Sequence, residues 1–215
     1  MYTGLPAWAG GPYFDCTGHR TLYYERYKAG TTSLAQTTSL EIGNIGHQGS
    51  SRVVYYAMTV NKANGKPMYG GKADLCTLIG SNDDVSLDLG GTLKAMLHNM
   101  FPGAEITGKG NPAILPSDMK PGDILPESHN VLHAGALKFT LDVTDRQVLR
   151  SERISTPAGS FDCMVVLEHK VEAGPMYSIE KWTYTWYAPG IGYVRHDSYD
   201  RKMRILTSEI LVSID

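Results

Sequence analysis

The chain has 215 residues, of which 22 are acidic, 20 are basic and 42% are hydrophobic, and its net charge is -2. A nearly neutral chain without a cluster of Lys and Arg lacks the positive charge that binding to nucleic acid phosphates requires. The hydrophobic fraction is too high for a disordered chain, and no apolar run reaches the roughly 18–20 residues of a transmembrane helix. We therefore expect a globular protein with no nucleic acid partner and no transmembrane segment.

The N-terminal stretch predicts little structure. Residues 1–12 contain three glycines and two prolines, with neither the basic region nor the apolar region of a signal peptide. We expect this segment to be poorly ordered and residues 13–215 to form a single β domain. Two interpretations fit: a cytosolic protein, or an exported chain whose leader has been removed.

The cysteines do not form a zinc motif. Cys16, Cys76 and Cys163 are widely spaced and contain no C-x-x-C pair. One interpretation is three buried thiols. In an oxidising compartment we predict a disulfide between Cys76 and Cys163, since both lie in predicted strands, with Cys16 left free.

The first half of the chain predicts an antiparallel meander. Residues 53–60 are rich in β-branched and aromatic side chains, and the turn dipeptide Asn64-Gly65 follows them. A second strand is predicted within 67–79, followed by a turn at 80–84 and by alternating apolar residues from Val85.

One segment has the period of a helix instead. Leu93, Met96, Leu97, Met100 and Phe101 form an apolar stripe, which Thr92 could cap and Pro102-Gly103 ends. A helix of this length is marginal alone in water. We therefore expect it to pack against one face of the sheet.

The remainder of the chain is rich in strand patterns. Residues 102–127 contain five prolines and form either a domain boundary or a long crossover within one sheet. Beyond them, strands are predicted at 136–144, 147–156, 161–171, 178–188, 192–199 and 203–214, separated by turn residues. This spacing indicates a meander, sandwich or barrel.

An aromatic row is the clearest candidate for a binding surface. Trp182, Tyr184 and Trp186 alternate along one predicted strand, so their rings share one face. Trp and Tyr suit half-wet ligand grooves, although the same row is typical of ordinary packing on a sheet.

The histidines do not predict a catalytic or metal site. His129 and His133 would share a face only on a helix, and their segment lacks a helical stripe. His196 and Asp197 are neighbours in a predicted strand and face opposite ways, so they do not form an acid–base pair. No serine-nucleophile or phosphate-loop motif is present, and we predict no metal and no cofactor.

Two motifs in the second half resemble a known family. The stretches Ser-Thr-Pro-Ala-Gly-Ser-Phe-Asp-Cys at 155–163 and Trp-Tyr-Ala-Pro-Gly-Ile-Gly-Tyr-Val-Arg at 186–195 are similar to those of the YmcC-like, or TapB-like, exported proteins of Gram-negative bacteria, a family of unknown function. The resemblance implies a mainly β fold: a strongly curved antiparallel sheet, as a half-barrel or open barrel, with one short helix on its concave side. It also implies a periplasmic or envelope location after leader removal, and it brings no catalytic residues. Such half-barrels are similar to carriers that hold an acyl chain.

We therefore predict a non-catalytic envelope protein that binds an apolar, lipid-like or glycan ligand in a groove of the sheet. The groove would be lined by Trp182, Tyr184 and Trp186 and covered by the helix through Met96 and Met100. One alternative is a scaffold that binds an envelope protein; a hydrolase is the third hypothesis.

Overall fold

A computed structural model describes residues 11–215. The predicted poorly ordered segment lies almost entirely outside these residues, and of it only Gly11 and Pro12 are described. The described residues form 13 strands and one helix. In chain order these are β1 (Arg20–Lys28), β2 (Leu34–Gln48), β3 (Ser51–Lys62), β4 (Ala73–Ile79), β5 (Val85–Leu87), α1 (Leu89–Met100), β6 (Ile106–Gly110), β7 (Ala113–Leu115), β8 (Ser128–Ala134), β9 (Leu137–Thr156), β10 (Gly159–Gly174), β11 (Tyr177–Ala188), β12 (Gly192–Tyr199) and β13 (Ile205–Ile214).

All strands belong to one antiparallel sheet. Its order is β6-β8-β9-β10-β11-β12-β13-β1-β2-β3-β4-β5-β7. Within the described residues, the edge strands β6 and β7 do not pair with each other, so the sheet is curved but open. This confirms the predicted mainly β, open-barrel fold. The segment 102–127 contains both edge strands of this sheet.

Alternating burial places one face of the sheet inside. In β4, Ala73, Thr77 and Ile79 are buried, whereas Asp74 and Cys76 between them are exposed. This period of two is that of a strand with one face on the core. The same alternation determines which side chains reach the interior in the other strands.

A bulge in β9 corrects one prediction. Residues 136–144 and 147–156 were expected to be two strands, but β9 continues through both. Asp145 has a φ of 48°, and the register with β10 shifts beside it, so that Asp145 and Arg146 together oppose Glu168. A bulge inserts an extra residue and re-aims a side chain without ending the strand. Here it directs Arg146 into the interior.

The helix lies on the concave side of the sheet. Its buried residues Leu93 and Leu97 pack with Leu132 and Phe139, which are buried on β8 and β9. Phe139 shares its face of β9 with Val143, the partner of Lys170 on the inner face of β10. The helix contacts β4, β6 and β8, and so spans the gap between the two ends of the sheet.

The start of the helix differs from the prediction. Asp88, not Thr92, is the N-cap, and its carboxylate accepts a hydrogen bond from the backbone N–H of Gly91 at 2.7 Å. The helix therefore begins at Leu89, and Thr92 donates to the backbone carbonyl of Asp88 instead. The apolar stripe did not reveal this first turn because two of its residues are glycines.

Candidate functional site

The interior of the sheet contains a cavity of about 260 Å³. The N-terminal residues Tyr13 and Phe14 form one wall, and the first turn of the helix contributes Leu89 and Thr92. The backbone N–H of Gly190 donates to the carbonyl of Pro12 at 2.8 Å, which holds the N-terminal segment in place. Inward-facing residues of the sheet provide the remaining walls: Leu22, Tyr24, Arg26, Leu40, Ile42, Tyr56, Met58, Leu75, Lys170, Thr185, Tyr187, Tyr193, His196 and Glu209.

One side of the cavity is apolar. Tyr13, Phe14, Leu22, Leu40 and Ile42 all line it and are all buried in the main core. Phe14 packs on Tyr56 with ring centroids 5.3 Å apart. This side offers an inserted group mainly apolar contacts.

The other side is polar and charged. Arg26 Nη2 lies 2.8 Å from Glu209 Oε2, and the Thr38 hydroxyl donates to Glu209 Oε1 at 2.9 Å. The Tyr24 hydroxyl donates to the carbonyl of Tyr193 at 3.0 Å. The Arg26 and Lys170 side chains each remain 27% exposed. Solvent therefore reaches the cavity at its polar side.

His196 lies on this polar side as a neutral imidazole. Its Nδ1 is 2.9 Å from the hydroxyl of Thr185. Burial lowers the pKa of His196 well below its ordinary value, and the nearby positive charges of Lys170 and Arg26 lower it further. The ring is therefore uncharged at neutral pH.

A buried ion cluster lies beside the cavity. Glu168 Oε1 is 2.9 Å from Arg146 Nε, and its Oε2 is 2.9 Å from Lys170 Nζ. Burial alone would raise the pKa of Glu168, but Lys170 and Arg146 outweigh burial and hold that pKa at about 2. Arg146 Nη1 also donates to the backbone carbonyls of Ile114 and Pro126. The cluster links β10 to the β7 edge and the adjacent loop.

The predicted aromatic row lies elsewhere. Thr185 and Tyr187 of β11 line the cavity, and Trp182, Tyr184 and Trp186 alternate with them on the opposite face. Trp182 stacks on His169 with centroids 4.6 Å apart, and Trp186 lies under the Arg195 guanidinium and donates to Glu152. The three rings share one face, as expected, and none of them lines the interior cavity.

The two methionines also lie outside the cavity. Met96 is half-buried and Met100 is 52% exposed, and the helix reaches the cavity through Leu89 and Thr92. The helix approaches the site with its N-terminal turn, not with its methionine positions.

The predicted disulfide is not formed. Cys16, Cys76 and Cys163 are all free thiols. Cys163 is fully buried in the main core, whereas Cys76 is exposed on β4, so their sulfur atoms lie in different environments. Burial raises the pKa of Cys163 to about 12, and the nearby Asp162 and Glu152 carboxylates add to this.

The remaining histidine candidates are not brought together. His129 and His133 are exposed on one face of β8, and His129 lies 2.9 Å from Asp142. Among residues 11–215, no group of three or more His, Cys, Asp or Glu side chains is placed to hold a metal ion. His196 faces Thr185, while Asp197 binds Arg195 and Ser208 on the other face.

Two wider grooves lie outside the interior. They have volumes of about 630 and 420 Å³, and both include Cys76 and Asp88. Their walls include exposed residues such as Tyr55 and Leu78, so a ligand there would keep much of its surface in water. The interior cavity encloses a ligand better and is the candidate site.

The sequence interpretation missed the charged residues of the cavity. Arg26, Lys170 and Glu209 occupy inward positions of β1, β10 and β13. One signal was present: Glu168 and Lys170 share a strand face with the apolar Met164 and Val166. A charged residue on an apolar strand face indicates a buried ion pair or a site.

The fold has solved relatives. A protein from Bacteroides fragilis, described as exported and as having a YmcC-like fold, is 22% identical with a TM-score of 0.75, over 95% of this chain and 99% of the other. A protein from Parabacteroides distasonis described as a lipoprotein is 19% identical with a TM-score of 0.77, over 96% and 99%. These likenesses confirm the predicted resemblance to the YmcC-like fold.

The family of the chain follows from its sequence. No curated protein matches the chain. The single helix of residues 11–215 is not long and apolar enough to cross a membrane. Residues 20–211, most of the chain, match the family described as DUF3108-like, and the chain therefore belongs to this family of unknown function.

Proposed function

We propose that this protein binds a single-chain amphipathic molecule in its interior cavity without transforming it. The observation that carries the proposal is the division of one cavity into an apolar wall around Phe14 and Leu40 and a polar wall around Arg26 and His196. An amphiphile can satisfy both walls at once, whereas a purely apolar ligand would leave buried polar groups without partners.

The size of the cavity supports a small ligand. Its volume of about 260 Å³ is slightly below the ~300–1,000 Å³ of ordinary ligand pockets. A medium-length acyl chain suits this space better than a phospholipid with two chains.

The proposed location is the cell envelope, in the periplasm. The two solved relatives are described as exported and as a lipoprotein, which supports this location. A hydrolase is less well supported, because the hydrogen-bond partner of His196 Nδ1 is the hydroxyl of Thr185 and not a carboxylate.

Calorimetric titration of the intact chain with decanoate, decanol and maltotetraose tests the proposal. We expect saturable binding of the ten-carbon ligands, one per chain and below their micelle-forming concentrations, and none of the oligosaccharide. Failure of both ten-carbon ligands to bind, or binding of the oligosaccharide alone, would contradict the proposal.

A cavity-filling variant locates the binding. Met58 lines the cavity and is half-buried, so Met58→Trp can fill it without fully overpacking the core. We expect this change to weaken decanoate binding about tenfold or more. Thr59→Trp, on the opposite face of β3, is the matched control and should bind as the wild type does. Equal binding by the two variants would place the ligand elsewhere.

A second candidate function is a scaffold that binds an envelope protein. Exposed apolar residues near the starts of β11 and β13 favour it, with Met176 96% and Leu206 41% exposed. Arg201, in the turn between β12 and β13, forms an ion pair with Glu180 of β11. Clustered exposed apolar side chains are typical of interaction surfaces.

A photo-crosslinking residue at position 176 tests this candidate in cells. One discrete protein adduct there supports a scaffold. The same probe at position 100, where Met100 is 52% exposed on the helix, is the control. The absence of any adduct specific to position 176 would count against this candidate.

A further inference from the structure

We propose that Arg26, Lys170 and Lys181 form a site for the anionic head group, a carboxylate, of the bound amphiphile. This inference rests on the proposed binding function and names the chemical class of its ligand. Carboxylate is chosen because positive charge at the site exceeds the carboxylates already paired there, as set out below: the cations are Arg26, Arg146, Lys170 and Lys181, and the paired carboxylates are Glu168 and Glu209.

The register of the sheet brings two of these cations together. Lys170 and Lys181 are directly opposite each other on β10 and β11. Lys170 lines the cavity, and Lys181 shares its face of β11 with Thr185 and Tyr187, which also line the cavity, so that Lys181 lies at the border of the cavity beside Lys170. Directly opposite residues have Cβ atoms about 4.5–5.5 Å apart, and two like charges at this spacing destabilise the sheet. An anion between them would remove that cost.

The carboxylates of the cavity are already paired. Glu209 lies 2.8 Å from Arg26, and Glu168 lies 2.9 Å from Lys170 and 2.9 Å from Arg146. Among residues 11–215, Lys181 has no carboxylate within 4.0 Å. Lys181 is therefore the cation without a partner.

A second donor is also available. The Nε of Arg26 is buried and has no hydrogen-bond partner among the described residues. A buried donor without a partner costs free energy, which a ligand oxygen would recover. Glu172, the other acid near Lys181, accepts a hydrogen bond from the Tyr177 hydroxyl at 2.7 Å.

The surroundings of Lys181 shift its pKa. Burial lowers the pKa of Lys181, and the positive charges of Arg26 and Lys170 lower it further, against the smaller opposing effect of Glu172. Burial is the largest cause of this direction, and the two neighbouring cations act in the same sense. Their effect supports the geometric argument that positive charge is in excess here.

The experiment compares three probes of equal chain length: decanoate, decanol and decylammonium. We expect decanoate to bind about tenfold more tightly than decanol, because a charge-assisted pair adds at least this much, and decylammonium to bind most weakly. Decanoate affinity should fall as salt is added, whereas decanol affinity should not.

Lys181→Gln is the decisive variant. We expect it to lose the roughly tenfold preference for decanoate over decanol while still binding decanol. Lys138→Gln removes the same charge from an exposed position of β9 and should keep the preference. Because Lys181 has no ion-pair partner, the ligand-free Lys181→Gln protein should have an unchanged or higher Tm.

The outcomes separate this inference from the proposed function. Equal binding of decanoate and decanol by the wild type, or an unchanged preference in Lys181→Gln, would overturn the carboxylate site and leave the amphiphile proposal intact. Failure of all three probes to bind would overturn the proposed function itself.

Discussion

Glu168 is a buried carboxylate held between two cations. Arg146 and Lys170 each approach it to 2.9 Å, and its side chain is 3% exposed. Burying three charged groups costs free energy that only close pairing offsets. The effect of losing this carboxylate should therefore be large and should depend on pH.

We predict that Glu168→Gln destabilises the protein at neutral pH on the order of 3 kcal/mol, because the fully buried Arg146 loses its carboxylate partner and the partly exposed Lys170 loses its own. The folded-state pKa of Glu168 is about 2, below its ordinary value of 4.5. The stabilisation is thus complete above the ordinary value and is lost as pH falls towards about 2. Urea unfolding of both proteins across this range should show their free energies of unfolding converging in acid.

Glu105→Gln is the control, since Glu105 is exposed next to the start of β6. Its unfolding free energy should follow the wild type at every pH. A difference between Glu168→Gln and the wild type that does not change with pH would contradict the assigned ion cluster.

The cysteines give a second prediction at this scale. Native protein should react with a thiol reagent rapidly at the exposed Cys76 and should not react at the buried Cys163. Unfolding without reductant should release all three thiols. A single thiol in the unfolded protein would instead show that Cys76 and Cys163 are bonded.

The helix is attached to the sheet through a close approach at its first turn. A Cβ atom at Gly90 would lie 2.4 Å from Oδ1 of Asn130, and one at Gly110 would lie 2.0 Å from the same atom. Asn130 is buried on β8 and donates to the Ser128 hydroxyl at 3.0 Å. Because Gly90 and Gly110 have no Cβ atom, the helix and strand β6 can both approach Asn130 closely.

We predict that Gly90→Ala costs roughly 1–3 kcal/mol of stability by overpacking. The cost should fall when Asn130→Ala is present, because the colliding oxygen is then absent. Chemical unfolding of the two single variants and the double variant measures this coupling. Additive effects would show that Gly90 is not limited by Asn130.

At the level of elements, local patterns predicted some features and not others. The spacing of Leu93 and Leu97 predicted the buried face of the helix, because that face depends only on helical period. The strand at β12 was predicted with its observed bounds. The aromatic row of β11 lies on the face opposite the interior cavity, and the sequence could not show this, since alternation gives two faces but not which one is concave.

Strands β1 and β2 were not predicted from the sequence. The run around Glu25, Arg26 and Tyr27 has no clear apolar alternation, so no strand was predicted there. Arg26 is stable in that position because Glu209 on β13 pairs with it. A partner 183 residues away in the chain leaves no local signal.

At the scale of the molecule, the open edges are joined without strand pairing. Asn111 lies in the short link between β6 and β7, and it donates to the carbonyl of Glu127 and accepts from the N–H of His129 at the start of β8. Arg146 adds hydrogen bonds from β9 to Ile114 and Pro126. The helix and these contacts tie both ends of the sheet to one interior.

We therefore predict that residues 13–215 unfold as one cooperative unit. Urea unfolding followed by far-UV circular dichroism and by tryptophan fluorescence should give coincident transitions. Two separate transitions would indicate a domain boundary within 102–127, the alternative left open by the sequence.

The cavity itself could not be predicted from sequence, because its walls come from strands far apart in the chain. Phe14, Leu40 and Tyr187 meet only once the sheet has curved and its register is fixed. The family motifs at 155–163 and 186–195 correspond to the β9–β10 and β11–β12 turns, so they indicate the fold more strongly than the site.

A crystal structure with ω-bromodecanoate tests the central claim most directly, because anomalous scattering locates the bromine at the end of the chain. We predict a bromine peak among Tyr13, Phe14 and Leu22, with the carboxylate beside Lys181. A peak next to Trp182 or Trp186, on the opposite face of β11, would contradict the assignment of the interior cavity as the binding site.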